Sequence, residues 1–209
     1  MIYSKTYQFL FTHISRTGGV SITACLLQYF KDAKELLWQH APLAMAQEKL
    51  GSKFDSLYKF AFVRNPWNRF VSWYALIGQS IEQDEAKKSA ISSPDHPHWT
   101  KFDAFLDNWS CEKIYIGDVV HPQLSQWAQL VDQEGTLLTD YIGRFESFNK
   151  DISTIFNKLS IDSQHIPHIN TSHHYHYSNY FTSYGKELVA SVFRDDLLQF
   201  NYQFETPDA

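Results

Sequence analysis

Two segments of the chain share the same order of apolar and polar positions. The first begins with the apolar run Tyr7–His13, and a loop containing two glycines separates this run from a helix-like stretch over 20–30. The second begins with Leu57–Val63 and continues through 64–66 into another helical pattern. Short apolar runs bounded by turn-forming residues are typical of buried strands. The order strand, loop, helix is therefore predicted twice.

The second of these helices has the best defined start. Asn65 suits the N-cap position, and Pro66 suits the first helical position, where the missing N–H has no partner to lose. The following positions divide into an apolar stripe and a polar stripe at helical spacing, which predicts one face that packs and another that is open to a ligand. The apolar stripe is Trp67, Phe70, Val71 and Tyr74, and the polar stripe is Asn65, Asn68, Arg69 and Ser72.

Periodicity predicts further elements in the rest of the chain. No regular pattern covers 79–99, which is interpreted as a surface excursion. Strands separated by helices predict an α/β fold, with a mainly parallel sheet covered on both faces and ligands bound at the carboxyl ends of the strands. The further elements are a helix over 101–109, a strand over 137–142, a helix over 147–159 and an amphipathic helix carrying Leu188, Val189, Val192, Phe193 and Leu197.

Composition limits the class of protein. With 209 residues, 44% of them hydrophobic, the chain is long enough for one sizeable core, and a single domain over 1–209 is predicted. The net charge of −5 offers no general attraction to nucleic acid or to an anionic membrane, so any anion must be bound locally. The sequence has neither a signal-like start nor an apolar run of about 18 residues, which favours a cytoplasmic protein without membrane insertion.

Cysteine usage agrees with a reducing compartment. The chain has two cysteines, Cys25 and Cys111, too few for a disulfide framework. Cys25 lies among apolar residues of a predicted helix and is interpreted as a buried packing residue rather than a reactive thiol.

The first loop has the features of an anion site. A helix N-terminus offers N–H groups and a partial positive charge, and Gly18 and Gly19 allow close approach of the backbone. Arg16 adds a permanent cation, while Thr17 and Ser21 add hydroxyl donors. An ordinary turn whose glycines relieve crowding explains this loop equally well. The loop is not a nucleoside triphosphate loop, because no Gly-Lys-Ser or Gly-Lys-Thr occurs in the chain.

The second loop supplies a second candidate anion site. Arg64 follows the predicted strand, and Ser72 lies eight residues later on the polar stripe. An arginine fork and a hydroxyl group could together bind a second phosphate. The alternative is that Arg64 and Arg69 pair with surface carboxylates.

Four segments resemble the carbohydrate sulfotransferase superfamily that includes the heparan sulfate 2-O- and 6-O-sulfotransferases. The segment 14–22 resembles its 5'-phosphosulfate loop and 60–72 its 3'-phosphate loop, while 141–146 and 200–204 resemble two further signatures. The resemblance implies a P-loop-NTPase-like three-layer α/β fold with a central, mainly parallel sheet flanked by helices. It also implies that 3'-phosphoadenosine 5'-phosphosulfate (PAPS) is the co-substrate, with no metal, and that the acceptor is a carbohydrate or another hydroxyl-bearing molecule.

The resemblance assigns roles to individual residues. The nucleotide would be held by the first loop and by Arg64 and Ser72, with help from Thr171 and His174. For the general base we favour His40, because 39–44 resembles a histidine-containing segment between the two loops in related enzymes, and an ordinary pKa near 6.5 suits proton abstraction. A half-buried histidine that caps the next helix is the alternative. His13 is a poorer candidate, since it ends a buried strand. The first-loop residues are Arg16, Thr17, Gly18, Gly19, Val20 and Ser21.

The sequence departs from the family pattern at the first loop. Arg16 stands where the family usually has lysine; it can stabilise phosphate and sulfuryl oxygens but cannot donate a proton to the leaving group. Ser15 replaces a common proline, and Val20 replaces a common hydroxyl residue. A non-catalytic nucleotide-binding relative is therefore the main alternative function, and a P-loop-type kinase is disfavoured by the missing lysine motif. The histidine-rich run over 165–176 fits no familiar zinc spacing.

Overall fold

A computed structural model describes residues 1–82, 101–111, 125–161 and 175–206. The described residues fall into two compact units. The first unit contains 1–64 and 125–161, and the second contains 65–82, 101–111 and 175–206.

The first unit is built on a five-stranded sheet with strand order β3-β1-β2-β4-β5. β2, β4 and β5 are parallel neighbours, and β1 adds antiparallel pairings to β2 and β3. The register places Phe11 beside Phe60, and Phe60 beside Tyr141. The three parallel strands therefore end at the same edge. The strands are β1 (Ile2–Ser4), β2 (Phe9–Thr12), β3 (Lys34–Glu35), β4 (Tyr58–Val63) and β5 (Tyr141–Arg144).

Helices are present in both units. Short 3-10 turns occur at Gly51–Lys53, Phe145–Ser147 and Tyr177–Tyr180. The α-helices within the described residues are α1 (Gly19–Tyr29), α2 (Leu43–Leu50), α3 (Pro66–Glu82), α4 (Phe102–Cys111), α5 (Phe148–Lys158), α6 (Ser183–Val192) and α7 (Arg194–Phe200).

The sheet of the first unit is covered on both faces. Side chains alternate between faces along a strand, so Phe9 and Phe11 point to one side and Leu10 to the other. The first side packs on α1 and α5, and the second packs on α2. Each fully buried phenylalanine contributes about 1.5–3 kcal/mol to stability. This three-layer arrangement confirms the predicted α/β class with a mainly parallel sheet.

The second unit has its own aromatic core. Trp67, Phe70 and Val71 of α3 are buried against residues of α4 and α6. The rings of Phe70 and Phe193 meet edge to face, with centroids 5.6 Å apart. The predicted apolar stripe of α3 is thus confirmed as its packing face.

Most predicted elements of the first unit are confirmed, but the strand predicted over 137–142 starts too early and overlaps β5 only at 141–142. Leu137 instead forms an isolated bridge with Val131, closing a turn in which the Asp132 carboxylate accepts from the N–H of Thr136 at 2.8 Å. β5 starts at Tyr141. The preceding residue, Asp140, accepts a hydrogen bond through its carboxylate from the N–H of Lys59 at 2.7 Å. The apolar pattern over 137–142 predicts one continuous strand because it does not show this turn.

The predicted C-terminal helix is divided in two. α6 ends at Val192 and α7 starts at Arg194, because Phe193 leaves helical geometry at φ −104° and ψ 32°. Phe193 is buried in the core of the second unit at this break. β1 and β3 were not predicted, since two or three residues carry no periodicity.

Candidate active site

The two predicted anion loops lie together at the carboxyl edge of the sheet. β2 and β4 are parallel neighbours, so the loops that follow them are adjacent. The Nη1 group of Arg64 donates a hydrogen bond to the carbonyl oxygen of Arg16 at 3.2 Å. The two loops are therefore in direct contact.

Arg64 is held from two directions. The Gln126 side chain binds its backbone, with Oε1 accepting from the Arg64 N–H at 2.9 Å and Nε2 donating to the Arg64 carbonyl at 2.8 Å. The guanidinium stacks on the ring of Phe145, 3.9 Å from the centroid, which is a favourable cation–π position. Arg64 is only 4% exposed, so the alternative of a surface ion pair does not apply to it.

Most of the polar stripe of α3 is buried, and Asn68 is half-buried. Asn65 caps the helix as predicted, with Oδ1 accepting from the N–H of Trp67 at 3.1 Å and Nδ2 donating to the carbonyl of Gln203 at 2.9 Å. Arg69 and Ser72 are also buried. Burial lowers the pKa of Arg69 to about 10, and the negative charge of the buried Asp196 opposes this shift. The expected open face is therefore wrong, and Ser72 remains a predicted phosphate ligand on the resemblance alone.

The first loop has an unusual backbone shape. Arg16 and Gly18 both have left-handed conformations, with φ 66° and 86°. The Thr17 hydroxyl donates to the carbonyl of Ile14 at 2.8 Å, so its proton is used within the loop. Burial lowers the pKa of Arg16, although a guanidinium stays charged near neutral pH. Val20 is exposed and Ser21 is buried at the start of α1.

Both glycines of this loop are needed by the protein itself. A Cβ added to Gly18 would stand 2.7 Å from Cε2 of Phe148, and one added to Gly19 would overlap the ring of His13. The steric explanation of these glycines is therefore supported by the packing. The glycines by themselves are no evidence for a phosphate.

Gly19→Ala is expected to destabilise the protein by about 1–3 kcal/mol, because the new methyl group must displace a buried ring. Chemical unfolding measures the change. Gly78→Ala is the matched control, since a Cβ there meets nothing within 4 Å, and alanine in a helix interior is favoured over glycine by up to about 1 kcal/mol. Equal stability of Gly19→Ala and wild type would contradict the tight packing of Gly19 on His13.

Two histidines meet beside this loop. His13 follows β2 and is buried, and the Nε2 amide of Gln39 donates to its Nδ1 at 3.1 Å. The carbonyl of His13 lies 2.7 Å from Nδ1 of His40. A carbonyl can only accept, so Nδ1 of His40 carries a proton and its Nε2 keeps a lone pair when the ring is neutral. The rings meet edge to face, 4.9 Å apart.

His40 is half-buried, as the alternative interpretation expected, but its Nδ1 does not cap the next helix. The N-cap of α2 is Pro42, and Nδ1 of His40 bonds instead to the strand-end carbonyl of His13. This arrangement orients the His40 ring through the backbone at the end of β2.

His13 is held in its uncharged form. Burial, helped by the nearby charges of His40 and of the Met1 amino group, lowers its pKa to about 3. An imidazole that rejects a proton near neutral pH is a poor general base. This agrees with the lower rank given to His13.

The buried His13 makes stability pH-dependent in a defined direction. Its folded pKa of about 3 lies below the ordinary 6.5, so between these values the unfolded chain binds a proton that the folded chain rejects. The free energy of unfolding should therefore fall as the pH drops, by about 2 kcal/mol from this group between pH 7 and pH 5. Urea unfolding across this range of pH should show a shallower fall for His13→Phe. Parallel curves for the two proteins would show that His13 is not the responsible group.

Several predicted residues lie outside the described residues. They include Thr171, His174 and most of the histidine-rich run. Within the described part of the chain, no group of three or more histidine, cysteine or acidic side chains is placed to bind a metal ion. Among the helices described, none has the length and apolar character needed to cross a bilayer.

The sequence interpretation missed three residues that shape this site. Gln126, Phe145 and Gln39 fix Arg64 and His13 through contacts distant in the chain. Of these, Gln39 and Phe145 stand in segments that the resemblance had marked, 39–44 and 141–146. A signal for Gln126 would require knowledge of which strands and loops are neighbours.

The fold and the adjacent arginine loops define an α/β protein with a candidate anion site at the carboxyl edge of its sheet. The model of the Sulfotransferase family matches residues 1–203, and the chain therefore belongs to that family. A search of curated proteins found no match. Membership agrees with a P-loop-like fold and assigns the chain to proteins that transfer a sulfuryl group from a sulfate donor to an acceptor hydroxyl.

Proposed function

We propose that this protein transfers the sulfuryl group of PAPS to a carbohydrate hydroxyl, with His40 as the general base. The observation that carries the proposal is the hydrogen bond from Arg64 to the carbonyl of Arg16, which joins the two anion loops. A ligand with phosphates at two positions needs two such loops at one edge of the sheet.

Each loop has its own task in this proposal. The backbone from Gly18 to Ser21 begins α1, and its N–H groups bind the 5'-phosphosulfate together with the Arg16 guanidinium. Thr17 shapes the loop through its bond to Ile14. Arg64 and Ser72 bind the 3'-phosphate, and Thr171 and His174 assist with the nucleotide; Ser72, Thr171 and His174 are assigned by the resemblance.

His40 takes the proton of the acceptor. The hydroxyl oxygen attacks sulfur, a new O–S bond forms, and the bond from sulfur to the 5'-phosphate oxygen breaks in line with it. The hydroxyl proton moves to Nε2 of His40, and adenosine 3',5'-bisphosphate leaves with the bond's electron pair. Arg16 stabilises the charge on the transferred group and the leaving phosphate without giving up a proton.

A carbohydrate acceptor is supported by the resemblance and by one exposed aromatic side chain. Trp38 stands two residues before His40 and is 47% exposed. Trp67 and Trp73, by contrast, are buried. An exposed indole face next to the base suits stacking against a sugar ring.

Calorimetric titration with adenosine 3',5'-bisphosphate tests the nucleotide assignment, with Mg–ATP as competitor. Transfer is then measured with labelled PAPS on a panel of glycans. Bisphosphate binding that Mg–ATP does not displace, together with labelling of a glycan, is the expected result. Binding without labelling of any acceptor would favour a non-catalytic nucleotide-binding protein, and preferential binding of Mg–ATP would favour a kinase.

A further inference from the structure

We propose that Gln39 and His13 form a positioning pair, which determines the protonated nitrogen of both histidines and makes Nε2 of His40 the proton acceptor. The inference rests on the proposed role of His40 as the base. Gln39 and His13 need not touch the substrate, because they act through His40.

Gln39 donates a hydrogen bond to the imidazole of His13. An amide nitrogen can only donate, so Nδ1 of His13 must accept, and the proton of the neutral ring is on Nε2. His13 is 2% exposed, whereas Gln39 is exposed, so the bond reaches the buried imidazole from the surface. Gln39 therefore selects one tautomer of His13.

His40 is bonded to the backbone of His13. The ring of His13 accepts a hydrogen bond from Gln39, and the carbonyl of His13 accepts one from His40. Gln39 and His40 are neighbours in the chain, so both ends of a short segment are tied to the end of β2. These two hydrogen bonds point Nδ1 of His40 at the His13 carbonyl, so Nε2 lies on the opposite side of the His40 ring.

His13 carries no charge near neutral pH. The groups that face its ring are His40, with centroids 4.9 Å apart, and the Met1 amino group, while Arg16 lies three residues further along the chain. All three groups are cationic when protonated. A second charge on His13 would oppose protonation of His40 during the reaction, and burial prevents that charge from forming.

The pair is also joined to the anion loop. The His13 ring lies against Gly19, the first residue of α1. The base segment and the phosphate loop therefore share His13 as a common neighbour. A change at Gln39 should alter the base with little effect on nucleotide binding.

Nitrogen-15 NMR of the wild-type protein reads the tautomer directly. Nδ1 of His13 is expected to be unprotonated, and its signal should not titrate between about pH 5 and pH 9. A protonated Nδ1, or a titration in this range, would overturn the inference. This result is independent of activity and needs no variant.

Gln39→Glu is the corresponding perturbation, because a carboxylate accepts from Nδ1 and favours a charged ring. We expect Nδ1 of His13 to become protonated and kcat to fall about tenfold or more, while KM for PAPS changes less than about threefold. Gln39→Met, which removes the donor without adding charge, should also lower kcat. Gln28→Glu places the same new charge on the exposed side of α1 and should leave kcat unchanged.

The outcomes separate the inference from the function on which it rests. An active wild type, combined with wild-type kcat in Gln39→Glu after the tautomer has changed, would refute the positioning role alone. A wild type that neither binds adenosine 3',5'-bisphosphate nor transfers a sulfuryl group would refute the proposed function, while the NMR result would still decide the tautomer.

Discussion

Replacing His40 with alanine should reduce sulfuryl transfer by about 10²- to 10⁴-fold and leave binding of adenosine 3',5'-bisphosphate unchanged. The loss follows because Nε2 of His40 is the proton acceptor in the proposed reaction. Binding should persist because the proposed phosphate ligands lie in the loops at Gly18 and Arg64, whereas His40 contacts His13. Labelled PAPS measures transfer, and calorimetry measures binding.

His176→Ala is the matched control for this substitution. His176 is exposed, and its Nδ1 contacts the Ser178 hydroxyl at 2.8 Å, so transfer should stay at the wild-type rate. If both His40→Ala and His176→Ala retain full activity, the general base is another group. If His40→Ala loses binding as well, the histidine acts in nucleotide binding instead.

Arg64→Ala should weaken binding of adenosine 3',5'-bisphosphate by about 2 kcal/mol or more, which corresponds to about 30-fold in Kd. The substitution removes a charged hydrogen-bond donor for the 3'-phosphate. It also removes the bond to the Arg16 carbonyl, so the first loop loses a support. Calorimetry at fixed salt measures the change in affinity.

Two further variants make the Arg64 result interpretable. Arg194→Ala removes one positive charge from an exposed position of α7 and should bind the bisphosphate as wild type does. Arg64→Lys keeps the charge but loses the planar stack on Phe145, and intermediate affinity is expected. Urea unfolding of each variant separates lost affinity from lost fold. Wild-type affinity in a folded Arg64→Ala protein would exclude Arg64 from the nucleotide site.

Local pattern was sufficient for the elements nearest the site. β2, α1, β4 and the start of α3 were predicted because strand and helix periodicity, and the Asn65–Pro66 cap, are properties of neighbouring residues. The sequence also marked Arg16, Arg64 and His40 as candidates. It could not say that the Arg64 side chain would reach the Arg16 carbonyl, since 48 positions separate the two residues.

Elements shaped by distant contacts were predicted less well. The predicted start of the strand over 137–142 is wrong because the turn around Asp132 and the hydrogen bond between Asp140 and Lys59 determine where β5 begins. The prediction that the polar face of α3 is open to solvent is wrong for a similar reason. Polarity alone does not reveal whether a buried partner, such as Asp196 for Arg69, lies elsewhere in the chain.

The sequence by itself determined the α/β class, the two loops with their arginines, and the histidine proposed as the base. Only the tertiary structure decided that the loops meet, that Gly18 and Gly19 make room for Phe148 and His13, and that Nδ1 of His40 bonds to the His13 carbonyl. The physical reason is the distance along the chain over which each effect acts. Propensity, capping and side-chain periodicity act over a few residues, whereas burial, tautomer and hydrogen-bond partner depend on groups that folding brings together from distant positions.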